Sequence, residues 1–208
     1  MTLKIGLDFD NTIAGYDTLF CAVAIELGLV ATGFDGTKND VRAAVRRLDD
    51  GELRWQRLQG QVYGARMAGA NLLDGVAEFC RACRARGDVE LFVISHKTQF
   101  GHFDAARIDL REAARSWMRT QGFFEPDGLG FAPEHVYFET TRADKLARIA
   151  AVGCTHFVDD LEEVLDDPAF PAGVQRILFT NGAPAPARRD YPALASWREI
   201  AEKVLVAA

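Results

Sequence analysis

Short runs of apolar, β-branched and aromatic residues alternate with amphipathic helical patterns along most of the chain. This alternation predicts an α/β fold, in which a parallel sheet of about five strands is flanked by helices. The predicted strands are Leu3–Phe9, Val89–Ile94, His135–Glu139, Cys154–Val158 and Gln175–Phe179. The predicted helices are Asp74–Arg86, Asp104–Gln121, Arg142–Val152, Leu161–Asp166 and Ser196–Val206.

One interval is too long to fit the alternation of strands and helices. About sixty residues separate the first strand from the helix at Asp74, far more than a strand-to-helix connection needs. The interval has its own helical periodicity, with glycine breaks between its pieces. One apolar face comprises Leu19, Phe20, Val23, Ala24 and Leu27, and another comprises Val41, Ala44, Val45 and Leu48. We therefore predict a self-packed helical insertion, residues 15–72, within a core made of residues 1–14 and 73–208.

Composition narrows the class of partner. The 208 residues are 49% hydrophobic and 26% charged, which is typical of a globular protein. The net charge of −6 argues against a sequence-independent grip on nucleic acid, which needs a basic face. No apolar run reaches the length of a membrane span, and the apolar N-terminal stretch is too short for a signal peptide. We expect a cytoplasmic protein, monomer or homodimer, that binds neither nucleic acid nor membrane.

The four cysteines fit this expectation. Cys21, Cys80, Cys83 and Cys154 are scattered through apolar stretches, as buried thiols are in a reducing compartment. Cys80 and Cys83 have the spacing of a metal or redox pair. They lie within a helical pattern, and no second pair completes a zinc site, so we interpret them as structural.

Polar residues suited to chemistry gather where the predicted strands end. They are Asp8, Asp10, Asn11 and Thr12 at the end of the first strand, Ser95 after the second, Lys145 in the helix before the fourth, and Asp159 and Asp160 after the fourth. Ligands of open parallel sheets bind at the carboxyl ends of the strands. We therefore expect these segments to converge on one edge of the sheet.

These residue types suit phosphoryl transfer. A carboxylate nucleophile such as Asp8 forms an acyl-phosphate, which divides hydrolysis into two easier displacements. A carboxylate can approach a phosphate dianion only if charge is neutralised, so a hard cation with oxygen ligands is expected. Asp8 and Asp159 can supply those ligands, with Asp160 in support.

Three further residues can assist the transfer. Lys145 adds a positive charge, and the Ser95 hydroxyl can donate a hydrogen bond to the transferring group. Asp10, two residues after Asp8, has the spacing of a group that protonates the leaving group and then activates water.

The five residues from Asp8 to Thr12 resemble the DxDxT signature of the haloacid dehalogenase (HAD) superfamily. Ser95, Lys145 and the Asp159-Asp160 pair match the other three motifs of that superfamily in the same order. The resemblance covers most of the chain, and the insertion falls where the family places its smaller cap. It implies a phosphatase-type hydrolase with a Rossmann-like sheet, a small α-helical cap and Mg²⁺.

The resemblance also implies roles. Asp8 is then the nucleophile and a magnesium ligand, and Asp10 is the general acid and base and offers its backbone carbonyl to the metal. Asp159 completes the metal site, and whether Asp160 touches the ion directly stays open. The group that holds the phosphate comprises Asn11, which contributes its backbone, Thr12, which orients the loop, and Ser95 and Lys145.

Other functions are compatible with part of this pattern. A receiver-type signalling domain uses similar residues, but in a different order and without a large insertion. The metal-free dehalogenases lack the second aspartate of DxD, so Asp10 argues against cleavage of a carbon–halogen bond. We expect a phosphatase for a small phosphorylated metabolite, with a sugar phosphate as one candidate. A phosphomutase or phosphotransferase of the same superfamily, or a non-catalytic binding protein that retains the fold, remain alternatives.

Overall fold

The chain forms two compact units. The computed structural model describes residues 2–103, 106–125, 127–185 and 190–206. We name the two units the α/β unit and the helical unit. The α/β unit consists of Met1–Ile13, Leu72–Lys97 and Gly122–Ala208, and the helical unit consists of Ala14–Asn71 and Thr98–Gln121.

The secondary structure follows the predicted alternation. The strands are β1 (Leu3–Leu7), β2 (Ala14–Gly15), β3 (Asn71–Leu72), β4 (Val89–His96), β5 (Val136–Glu139), β6 (His156–Asp159), β7 (Gln175–Phe179) and β8 (Ala193–Leu194). The α-helices are α1 (Asp17–Glu26), α2 (Lys38–Arg46), α3 (Gly51–Tyr63), α4 (Val76–Arg86), α5 (Leu110–Thr120), α6 (Arg142–Val152), α7 (Glu162–Leu165) and α8 (Trp197–Ala201). A π-helical turn, Glu202–Val206, continues α8.

The main sheet is parallel and has six strands in the order β5-β4-β1-β6-β7-β8. The central strand β1 is apolar because both faces of such a sheet are covered, and Ile5 and Leu7 are fully buried. Between them, a Cβ on Gly6 would lie 2.6 Å from Cδ2 of Phe157, so only glycine fits this close approach. The predicted fold class is confirmed, with one strand more than the five predicted. The additional strand, β8, has two residues and is too short to produce a pattern.

Helices of the α/β unit pack on the sheet. α4 and α6 lie against β4, and α7 lies against β6 and β7. One buried cluster includes Ile94, Ile149, Phe157 and Leu178. On β6, His156 is also buried, and its Nδ1 lies 3.0 Å from Oγ1 of Thr155.

The cysteines behave as apolar residues. All four are free thiols and buried. Burial raises the pKa of Cys83 to about 12 and that of Cys154 to about 11, and it raises the pKa of Cys80 further still. Protonated thiols in the core are neither nucleophiles nor metal ligands, which supports the structural interpretation of the pair Cys80 and Cys83.

Several predicted boundaries differ from the observed ones, and two of the differences have a clear local reason. Strand β4 extends two residues beyond the predicted end, to His96, because it stays paired with β5 up to Glu139. Helix α5 begins at Leu110 rather than at residue 104, which lies with residue 105 outside the described residues. The side chain of Asp109 accepts hydrogen bonds from the backbone N–H groups of Arg111 and Glu112, and this N-cap fixes the start of the helix.

The helical unit has a core of its own. The rings of Phe20 and Trp55 stack with centroids 5.1 Å apart, and both side chains are buried. The Nε1 of Trp117 donates a hydrogen bond of 2.9 Å to the carbonyl of Ala70, which ties α5 to this unit. Leu27 and Leu48 were predicted on the apolar faces but are exposed, because each lies just beyond the end of its helix.

The two units divide the chain differently from the prediction in one segment. The predicted division assigned residues 98–121 to the core, whereas their contacts group them with the helices of the insertion. The role of the helical unit as a cap stays a prediction. Among the described residues, no helix is both long enough and apolar enough to cross a membrane.

Candidate active site

Three neighbouring strands of the α/β unit end beside one another. β4, β1 and β6 are adjacent and parallel, so their carboxyl ends lie at one edge of the sheet. Asp8 directly follows β1, Asp159 is the last residue of β6, and Ser95 is the last residue but one of β4. The sheet itself therefore places a carboxylate, a second carboxylate and a hydroxyl at the same edge.

Lys145 bridges two of these carboxylates. Its Nζ donates to Oδ1 of Asp8 at 2.6 Å and to Oδ2 of Asp159 at 2.7 Å. All three residues are buried. Helix α6 begins where the Thr141 side chain accepts a hydrogen bond of 3.1 Å from the backbone N–H of Asp144, which places Lys145 in the first turn. The predicted convergence of Asp8, Lys145 and Asp159 is thus present in the structure.

Burial and neighbouring charges act in opposite directions on the pKa values of Lys145 and Asp159. Burial alone would lower the pKa of Lys145, but the charges of Asp8 and Asp159 outweigh burial and raise it above its ordinary value. For Asp159, burial raises the pKa, Lys145 lowers it, and Asp8 raises it again. One ammonium therefore has to compensate two buried carboxylates, and the site holds an excess of negative charge.

An acidic cluster at this edge fits a hard divalent cation. One carboxylate oxygen from each of Asp8, Asp159 and Asp160 lies within 4.8 Å of the others. Oδ2 of Asp160 also accepts a hydrogen bond of 3.3 Å from Nδ2 of Asn11. Oxygen-only donors and surplus negative charge are what Mg²⁺ requires. Asp160 lies near enough to the other two carboxylates to share an ion with them.

The loop after β1 is held at both ends. Asn11 has a φ of 59°, a left-handed conformation that asparagine adopts more readily than most residues. The backbone N–H of Ile13 donates to the carbonyl of Phe9 at 3.0 Å, and Nε1 of Trp197 donates to the carbonyl of Thr12 at 3.1 Å. These contacts fix the loop that carries Asp8 and Asp10.

Two predicted phosphate-binding hydroxyls are buried. Ser95 is 1% exposed and lies opposite Phe138 in the register of β4 and β5. Thr12 is fully buried, and its Oγ1 has no hydrogen-bond partner among the described residues. A buried hydroxyl without a partner is energetically unfavourable, and the role of Thr12 in binding phosphate stays a prediction.

Asp10 has a partner that the sequence analysis did not identify. Nζ of Lys97 lies 3.0 Å from Oδ1 and 2.8 Å from Oδ2 of Asp10. The predicted second strand, Val89–Ile94, ends before Lys97. The backbone N–H of Lys97 donates to the carbonyl of Glu139 at 2.9 Å, so it continues the pairing of β4 with β5. Because alternate residues of a strand share a face, the spacing of Ser95 and Lys97 could have assigned both to the same face.

Comparison with known proteins finds similarity in fold. No family model and no curated protein matches this chain. A HAD family hydrolase from Deinococcus radiodurans, solved with phosphate and sodium, is 18% identical, with 98% of this chain and 95% of that chain covered and a TM-score of 0.55. The putative HAD-hydrolase YfnB from Bacillus subtilis, solved with magnesium, is 11% identical, with 98% of each chain covered and a TM-score of 0.57.

A third solved structure of the same fold has a different named activity. The L-2-haloacid dehalogenase RSc1362 is 12% identical, with 99% of this chain and 100% of that chain covered and a TM-score of 0.56. At these identities the similarity concerns the fold rather than the reaction. This chain therefore has the fold of HAD-superfamily hydrolases.

Proposed function

We propose that this protein is a Mg²⁺-dependent phosphatase that hydrolyses a small phosphorylated metabolite through an aspartyl-phosphate on Asp8. The observation that carries the proposal is the buried Lys145 bridge between Asp8 and Asp159, at distances of 2.6 and 2.7 Å. It combines a fixed carboxylate nucleophile with a positive charge beside it. The second carboxylate, Asp10, lies in the same fixed loop.

The donor set supports magnesium as the cofactor. Asp8, Asp159 and Asp160 would hold the ion through carboxylate oxygens. The backbone carbonyl of Asp10 would be a further ligand, as the resemblance to the HAD superfamily implies. The bound ion would neutralise charge on the phosphoryl oxygens and so allow one anion to approach another. Proteins of this fold have been solved with phosphate in one case and magnesium in another, the two ligands that the proposal requires.

The residues of the chain divide the work of two displacements. In the first, an oxygen of Asp8 forms a bond to phosphorus while the bond to the leaving oxygen breaks, and Asp10 gives its proton to that oxygen. In the second, Asp10 takes a proton from water as the water oxygen attacks phosphorus, and Asp8 is released. Lys145 holds Oδ1 of Asp8 and thereby orients the carboxylate, and Ser95 is the candidate for a hydrogen bond to the phosphoryl group.

The alternative enzymes differ from a phosphatase in the group that accepts the phosphoryl group or in the bond that is cleaved. A phosphomutase or phosphotransferase would share the aspartyl-phosphate and pass it to a hydroxyl instead of water. A dehalogenase needs no proton donor to the leaving group, which leaves the Asp10 carboxylate without a role. A binding protein without catalysis would not need the Lys145 bridge and the Asp10 pairing together.

The partner is proposed to be a small anion in the cytoplasm, and a sugar phosphate is one candidate. The net charge of −6 disfavours a polyanion such as a nucleic acid, and among the described residues the cations assigned to the site are Lys97 and Lys145. The same site suits a single phosphoryl group, whose negative charge these two lysines and a bound cation would neutralise locally.

The proposal is tested with a panel of phosphate monoesters and an L-2-haloacid, assayed with Mg²⁺ or with excess EDTA. We expect release of phosphate with Mg²⁺, none with EDTA, and no halide release. Intact-protein mass after rapid quench is expected to show one added phosphoryl group in the wild type and none in Asp8→Asn. Phosphate release by Asp8→Asn at the wild-type rate, or halide release by the wild type, would contradict the proposal.

A further inference from the structure

Lys97 is a buried lysine that lies outside the motifs from which the function was proposed. Its side chain is 3% exposed, and that of its partner Asp10 is 23% exposed. The ammonium contacts both oxygens of the Asp10 carboxylate, at 3.0 and 2.8 Å. It also lies 5.4 Å from the centroid of the Phe9 ring. Burying a lysine is unfavourable unless its charge is paired. The burial of Lys97 therefore costs desolvation free energy that an exposed lysine would not cost.

The position of the ammonium is set by the sheet. Lys97 directly follows β4, and its backbone N–H donates to the carbonyl of Glu139, the last residue of β5. The Asp10 backbone is set separately by the loop after β1. Two independently fixed backbones therefore meet through one ion pair, and contact with both oxygens restrains the rotation of the carboxylate as well as its place.

We propose that Lys97 is a positioning residue that holds the Asp10 carboxylate in the orientation needed for proton transfer. The inference rests on the proposed function, because it assigns a task to the proton donor of that reaction. During the first displacement Lys97 keeps its contact with one oxygen of Asp10, and the other oxygen exchanges its contact with Lys97 for the leaving oxygen of the substrate. The proton moves from Asp10 to the leaving oxygen, and in the second displacement a proton from water returns to Asp10. Lys97 itself neither gains nor loses a proton.

A positioning role predicts a specific dependence on the leaving group. A phenolate with a low pKa leaves with little protonation, whereas an alkoxide leaves only when a proton reaches it. Lys97→Met removes the ammonium and keeps most of the apolar stem. We expect kcat for alkyl phosphates to fall by about 10²-fold, within the range of general acid–base help, and kcat for a nitrophenyl phosphate to fall much less. KM is expected to change little in both cases.

Two more variants separate this role from a general loss of structure. Lys97→Arg keeps a donor to both oxygens and is expected to restore part of the rate for alkyl phosphates. Lys203→Met removes an exposed lysine of the same unit and serves as the matched control, with wild-type rates for every ester. Urea unfolding of each variant shows whether it is folded under assay conditions. If Lys97→Met does not fold, Lys97→Gln replaces it with the same expected pattern.

A double-mutant cycle with Asp10→Asn decides whether Lys97 acts through Asp10. If it does, adding Lys97→Met to Asp10→Asn lowers the rate for alkyl phosphates by less than about twofold, the usual error of additivity. A full further loss in the double variant would overturn the inference. So would a rise in KM with equal losses for all leaving groups, which would instead make Lys97 a substrate anchor. A wild-type protein that hydrolyses no phosphate monoester would refute the proposed function, and this inference with it.

Discussion

Replacing Lys145 with methionine removes the ammonium that bridges Asp8 and Asp159 but keeps an unbranched side chain of similar volume. The side chain of Lys145 is 2% exposed, so water does not replace the lost charge. The variant is left with two buried carboxylates that face each other without their shared partner. The expected consequences are a loss of stability and a loss of phosphatase activity.

The size of the stability loss follows from the burial of all three groups. Breaking a buried ion pair by removing one partner typically costs about 3–5 kcal/mol, because the remaining charge is uncompensated. Here one substitution breaks two contacts, of 2.6 and 2.7 Å, so the upper part of that range is expected. A domain in the middle or upper part of the usual range of about 5–15 kcal/mol for the free energy of unfolding would retain its fold but unfold at a clearly lower urea concentration.

The loss is expected to depend on pH. Burial raises the pKa of Asp159 in the folded wild type, and Lys145 acts in the opposite direction. Without Lys145 the pKa of Asp159 rises further above its value in the unfolded chain. A folded state that binds more protons than the unfolded state becomes more stable as pH falls, so the deficit of Lys145→Met shrinks on acidification towards the raised pKa. Mg²⁺ is expected to reduce the deficit as well.

The assay is urea unfolding followed by circular dichroism at mildly alkaline and mildly acidic pH, with EDTA or Mg²⁺. Lys4→Met is the matched control, because the side chain of Lys4 is 38% exposed and its ion pair with Glu90 spans 4.0 Å. Such a pair contributes about 0–1 kcal/mol. A second variant, Lys145→Met with Asp159→Asn, removes one surplus carboxylate and is expected to recover part of the loss. Equal unfolding midpoints for Lys145→Met and Lys4→Met, or a deficit that grows on acidification, would refute the reasoning.

Three further predictions concern the metal, the Asp10 carboxylate and one buried histidine. Mg²⁺ is expected to raise the unfolding temperature of the wild type but not of Asp8→Asn with Asp159→Asn, and equal shifts in differential scanning fluorimetry would contradict the assigned ligands. Asp10→Asn is expected to accumulate the phosphorylated protein from a nitrophenyl phosphate and to turn over about 10²–10⁴-fold more slowly, as measured by quenched mass spectrometry and steady-state rates. Burial lowers the pKa of His156, so the unfolded chain takes up this proton at a higher pH than the folded protein does, and the contribution of His156 to stability falls as pH drops below about 6.5. His156→Gln is expected to flatten that part of the pH profile, and an unchanged slope in urea unfolding would contradict it.

Much of the sheet and the position of its edge could be predicted because both follow from local rules. Apolar runs such as the one through Ile5 and Leu7 are typical of parallel strands covered on both faces. Once strands are placed, their carboxyl ends must lie together, which brings Asp8 and Asp159 to one edge without any knowledge of distant contacts. The strand order itself did not follow from the pattern, because neither burial nor alternation specifies which strands pair.

The grouping of residues 98–121 could not be predicted for a related reason. The pattern over α5 indicates an amphipathic helix, and a helix of that kind needs an apolar surface to cover. It does not indicate which surface. The partner is set by specific non-local contacts, among them the hydrogen bond from Trp117 to the carbonyl of Ala70. Hydrophobic periodicity describes one segment alone, whereas the unit to which a segment belongs depends on its contacts with other segments.

Lys97 was missed because a lysine after a strand usually lies in solvent. The strand continues beyond its apolar run, to His96, because pairing with β5 persists where the side chains become polar. Extension by those residues places Ser95 and Lys97 on one face, and it turns a residue expected in a loop into a buried partner of Asp10. The wrong end of β4 and the failure to identify Lys97 therefore have the same cause. Polar residues that serve a site interrupt the apolar pattern by which a strand is recognised, and β4 therefore extends further than its hydrophobic pattern indicates.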